Sequence, residues 1–129
     1  MEVDFSDLVF SSGEDVDYVY DRIENSVSDT NEKWYFLVNY RNTKINPDAW
    51  VQFSLRGKKI NLASSIGSVR FDPNEPTREE IEKRDKQEGF KPNVVSTRQE
   101  ALERIGELKI PAKIQTWSAS LTGVYSVKY

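Results

Sequence analysis

Glu79, Glu80, Glu82 and Asp85 form the densest group of side chains able to bind a cation or move a proton. Arg78, Lys83, Arg84 and Lys86 alternate with them, so the stretch reads as a solvated, salt-bridged helix and not as a metal or acid–base site. Elsewhere the possible chemistry is limited by what is missing. The 129-residue chain has neither cysteine nor histidine, which removes thiolate nucleophiles, imidazole catalysis, Ser-His-Asp triads and zinc sites built on sulfur or imidazole. Carboxylate, lysine or tyrosine chemistry and an all-oxygen Mg²⁺ or Ca²⁺ site stay open, but no spacing selects any of them. The expectation is a protein that is not an enzyme, with no cofactor and no metal.

Binding chemistry is better represented. Arg41, Lys44, Arg56, Lys58 and Lys59 make a local basic cluster in a chain of net charge −3. It reads either as a solvated face or as a hold for an acidic partner, a phosphate or an anionic lipid headgroup. Gly57-Lys58-Lys59 is not a phosphate-binding loop, because the first glycine and the strand-to-helix context of that motif are absent. The mixed, mildly acidic charge excludes the footprint of a nucleic-acid binder. Five aromatic residues, Trp34, Tyr35, Phe36, Trp50 and Phe53, fall where a strand meets a helix. They either pack a core or, with Trp34, Phe36, Trp50 and Phe53 as the walls, line a pocket for a lipid-like or other apolar ligand.

The elements that position these residues follow from periodicity. Val3, Phe5, Leu8, Val9 and Phe10 suit two short strands or one bent edge strand, closed by Ser11-Ser12-Gly13. Val16, Val19, Tyr20, Ile23 and Val27 recur at helical spacing and form one apolar stripe. The continuous run Trp34 to Val38 fits a central strand covered on both faces. Asn46 as N-cap and Pro47 at the first helical position start a second helix. That helix carries Ala49, Trp50, Phe53, Gly57 and Ile60 on one side and Val51, Leu55 and Leu62 roughly opposite. The second stripe either packs within the chain or is a docking surface. Ser68 to Asp72 predicts a short strand, Thr77 with Glu80 a capping box for a third helix, Asn93 to Ser96 a strand, and Thr97 with Glu100 a box for a fourth helix. Such alternation predicts an α/β fold, a mostly parallel sheet of four to five strands flanked by about four helices. Beyond Pro111 the odd positions Trp117, Ala119, Leu121, Tyr125, Val127 and Tyr129 are apolar, the period of a strand. The domain is therefore expected over residues 1–110, with a strand-like extension over 111–129 that pairs with a sheet edge or with a second copy in a homodimer. No run approaches the roughly eighteen apolar residues of a membrane span, and the first residues carry neither a basic nor an apolar leader segment. A soluble, cytoplasmic protein is expected.

The strand Leu37-Val38-Asn39-Tyr40 leading into Ile45-Asn46-Pro47-Asp48-Ala49, and the helix start Ser96-Thr97-Arg98-Gln99-Glu100-Ala101-Leu102, resemble the STAS fold. More closely they resemble the SpoIIAA-like, or STAS/Sec14-type, bacterial proteins, over about Val3 to Leu108. The resemblance implies a non-catalytic regulatory module that docks on a kinase-like or other signalling protein. In that family a phosphorylatable serine at the start of the second helix acts as a switch. Asp48 stands at that position here, so the switch is expected to be absent, and a fixed carboxylate beside a helix N-terminus imitates a modified state or simply favours the helix dipole. The partner-binding residues expected on this reading are Asn46, Asp48, Val51, Leu55, Arg56 and Lys59. The Sec14-type resemblance allows the alternative, a small carrier of an apolar ligand between the second helix and the sheet.

Overall fold

The computed structural model describes residues 1–87, 89 and 93–109 and the backbone of Ser126–Lys128. In chain order the elements are β1 (Glu2–Asp4), β2 (Val9–Phe10), α1 (Gly13–Thr30), β3 (Trp34–Asn39), β4 (Lys44–Ile45) and α2 (Pro47–Ser64). They continue with β5 (Ser65–Phe71), α3 (Glu75–Gln87), β6 (Val94–Val95), α4 (Arg98–Lys109) and β7 (Ser126–Lys128). The main sheet has the order β6-β5-β3-β1-β7 and every neighbouring pair is parallel. β2 and β4 form a separate short parallel ladder, and both α1 and α2 begin within a few residues of it. The fold is α/β with a parallel sheet, as the alternation of elements predicts.

Strand alternation sorts the core into two layers. Phe36, Val38 and Tyr40 join Val3 and the buried residues of α1 and α2 on one face, whereas Leu37 joins Val69, Phe71, Val95, Ala101 and Ile105 on the other. The run from Trp34 to Val38 is apolar without interruption because β3 lies between β1 and β5 and is covered on both sides. Right-handed crossovers along a sheet that grows in chain order place α1, α2 and α3 on the first face, and the return from β6 to β7 places α4 on the second. All five residues of the α1 stripe are buried. The helix ends at Asn31, whose left-handed φ of 53° lets its N–H reach the Ser28 carbonyl, a conformation that asparagine tolerates.

Three details depart from the sequence reading. Asn46 starts α2 but makes no side-chain capping bond; its backbone N–H donates instead to the Phe10 carbonyl. α3 starts at Glu75, two residues before Thr77, because Asn74 Oδ1 accepts from both the N–H and the hydroxyl of Thr77. β5 begins at Ser65, directly where α2 stops. Of the two alternatives for the first segment, the two short strands β1 and β2 are formed, and β7 covers the outer side of β1 with Glu2 opposite Ser126 and Val3 opposite Val127. The expected apolar positions Trp117, Ala119, Leu121, Tyr125 and Tyr129 lie outside the described residues.

Candidate ligand cavity

α3 is rich in charge and buries one apolar side chain, Ile81. One such residue cannot fill the space a helix covers on a sheet, and a cavity of about 670 Å³ remains between α3, α2 and the sheet. That volume lies inside the range of small-molecule sites, about 300–1,000 Å³. The floor is Val3, Phe36, Val38 and Ser68, and the α2 wall is Trp50, Phe53, Gly57 and Ile60. Phe53 is the hub of the apolar end. Its ring meets those of Phe5, Phe10, Tyr20, Tyr40 and Trp50 at centroid distances of 6.0, 5.4, 5.7, 6.1 and 5.9 Å, all close to edge-on. Such edge-to-face contacts are the favoured geometry for ring quadrupoles.

The opposite end is polar. Arg70 projects from β5 on the same face as Ser68, and its two terminal nitrogens donate to the two oxygens of Asp85 on α3, Nη1 to Oδ1 at 3.1 Å and Nη2 to Oδ2. The side chains are only 19% and 13% exposed. Burial, the largest single effect, pulls the guanidinium pKa down, but the Asp85 hydrogen bonds together with the Tyr40, Asp85 and Tyr20 electrostatics hold Arg70 above its ordinary value. The Tyr40 phenol, also on the cavity wall, is pushed up to about 12, first by burial, with Arg70 pulling the other way. Burial also raises Tyr20 well above its ordinary value. Both tyrosines are therefore neutral donors at neutral pH. Arg84 lies over the Trp50 ring at 3.7 Å and binds Glu80 at 3.0 Å, closing the rim between α2 and α3.

Known protein families, characterised proteins and solved structures yield no match. The site therefore rests on its own geometry. Among the described residues no cluster of acidic side chains has the arrangement of a metal site, and no helix is long and apolar enough to cross a membrane.

Of the aromatic residues expected to line a pocket, Phe36, Trp50 and Phe53 do so. Trp34 does not: it is turned toward the end of α1, where its indole N–H donates to Thr30 Oγ1 at 2.9 Å. Asp85 is a correction too, since it leaves the solvated face of α3 and points at the sheet. Arg70, Tyr20 and Tyr40 were not singled out by sequence. The available signal was Arg70 itself, a cation inside a strand whose neighbours Val69 and Phe71 both face the core.

The residues expected to dock a partner separate into two groups. Asn46, Asp48, Val51, Leu55 and Lys59 are exposed. Val51 is 72% exposed and Leu62 77%, so the outer stripe of α2 is not packed within the described chain. Arg56 is different, being 12% exposed and bound to Asp17 and Asp21 at 2.8 Å and to Glu24 at 3.0 Å. These acids stand one turn apart along α1, so Arg56 clamps α1 to α2. Lys59 reaches Glu24 as well, at 3.6 Å.

Proposed function

We propose that this chain is a non-catalytic, cytoplasmic binding module of STAS-like type that holds a small amphipathic ligand, mostly apolar with one polar end, between α2, α3 and the sheet. The cavity carries this reading: a solid core beneath Trp50 and Phe53 would have favoured a pure docking module, and the space there is several hundred Å³ instead. The parallel α/β order is compatible with the Sec14-type resemblance, which allows a carrier. Native mass spectrometry of protein purified from its host is expected to show an adduct of a few hundred daltons, and the stripped protein is expected to bind an apolar fluorescent dye. Absence of both the adduct and dye uptake would refute the reading.

A second reading is supported by the exposed stripe of α2. A shallow depression of about 180 Å³ among Trp50, Val51, Leu55 and Arg84 suits an apolar side chain of a signalling protein, with Asn46, Asp48 and Lys59 around it. No serine switch operates at this helix start, where Asp48 replaces the acceptor. Val51→Asp with Leu55→Asp is expected to abolish partner association while leaving dye uptake unchanged; loss of dye uptake or retained association would refute a separate docking face.

A further inference from the structure

We infer that the cavity ligand is a carboxylate amphiphile whose headgroup takes the place of Asp85 on Arg70, and that this exchange releases α3. The inference rests on the carrier reading above. Arg70 stands on β5, an inner strand paired on both sides, so its backbone is held in place. Its present partner is held far less firmly. Asp85 belongs to the last turn of α3, where the helix dipole disfavours a carboxylate, and α3 has Ile81 as its only buried residue. The pair thus joins a cation on a fixed strand to an anion in an unfavourable place.

The headgroup follows from the shape of the contact. Asp85 meets Arg70 with both oxygens on both terminal nitrogens, the fork geometry that a planar carboxylate completes. An Arg this buried cannot be left without an anion, so Asp85 leaves only when another carboxylate arrives. The neutral hydroxyl of Tyr40 stands beside the same guanidinium and offers a further donor to the incoming group. The alkyl part then extends along Phe36, Val38, Trp50 and Phe53. Arg84 does not compete for the headgroup, being committed to Trp50 and Glu80.

The test compares decanoate, decanol and decyl phosphate by calorimetry on the wild type, Asp85→Asn, and the double variant Arg70→Met with Asp85→Leu. The double variant removes both charges together and so keeps a folded cavity if Asp85→Asn does not fold. Asp85→Asn is expected to tighten decanoate by about tenfold, the scale of one charge-assisted bond, and to leave decanol unchanged. The double variant is expected to bind decanol as the wild type does and to lose any preference for decanoate. Hydrogen exchange in Glu75–Gln87 is expected to rise with decanoate and not with decanol. If no probe binds any variant, the carrier reading fails and this inference with it. If decanol binds but the variants leave decanoate unchanged, the carrier reading stands and the exchange at Arg70 is overturned. Tighter binding of decyl phosphate than of decanoate would overturn the carboxylate assignment.

Discussion

Truncating Phe53 to alanine is the sharpest test of the packing around the cavity. The ring touches five others, and removing a buried phenyl group costs about 3–5 kcal/mol, more when the surroundings cannot collapse into the void. Here they cannot, because Phe53 already borders the 670 Å³ cavity and the new space merges with it. A loss of about 5 kcal/mol is expected. A domain of 129 residues has a total stability of roughly 6–19 kcal/mol, so the loss removes between about a quarter and most of it. With an unfolding entropy of about 2.1 cal/mol/K per residue, one kcal/mol moves Tm by about 4 °C, and the expected drop is about 15–20 °C. Phe53→Leu, which keeps most of the volume but forfeits the ring edges, is expected to lose only about 1–2 kcal/mol. Leu62→Ala, on the exposed stripe, is expected to stay within about 0.5 kcal/mol of wild type. Urea unfolding followed by far-UV circular dichroism and tryptophan fluorescence measures all three. A loss below about 2 kcal/mol for Phe53→Ala, at unchanged urea slope, would refute the rigid cavity wall.

Asp72 is buried, and burial raises its carboxyl pKa above the usual range, with the Asn74 N–H and Arg78 pulling it back. The folded chain therefore keeps this proton to higher pH than the unfolded chain, so the contribution is complete below the ordinary value of 3.8 and is lost as pH rises through the folded value. Asp72→Asn is expected to flatten stability between pH 4 and neutrality and to raise it at pH 7, read from urea midpoints; an unchanged pH slope would count against it. Arg56→Met is expected to cost only about 1 kcal/mol, because the freed carboxylates are partly solvated and methionine fills the groove. Asp21→Asn with Glu24→Gln leaves the largely covered cation underpartnered and is expected to destabilise more; thermal melts giving the reverse order would refute the clamp. Ending the chain before Ser126 uncovers β1, so lower stability and greater self-association by light scattering are expected, and unchanged stability would show that β7 contributes nothing.

Much of this architecture is legible because one residue pattern implies one environment. The α1 stripe from Val16 to Val27 and the unbroken β3 run each admit a single burial solution, and both are realised. The two sides of α2 were also readable, but not the fate of the outer one, since Val51 and Leu55 look alike in sequence whether a neighbour covers them or water does. The polar end of the cavity was hidden for a related reason. Asp85 sits among alternating charges that pair locally, as Arg84 and Glu80 do, and only the tertiary placement of α3 over β5 separates it from them. Arg56 likewise looked like one more lysine-type surface charge until α1 was laid beside α2.

The order of strands in the sheet also prescribes an order of events in folding. β1, β3, β5 and β6 are neighbours in sequence and in space, so each addition closes a modest loop. β7 is the exception, because its Ser126 lies opposite Glu2, 124 positions away. Once Val95 of β6 is in place, Ser126 is only 31 positions further along the chain, and the closure entropy falls by about 1 kcal/mol. β7 is therefore the last strand to dock. Until it does, β1 presents unpaired N–H and C=O groups along a flat edge, and the β7 of another copy can fill that edge as well as the chain's own. At high concentration the natural failure of this fold is a strand-swapped dimer.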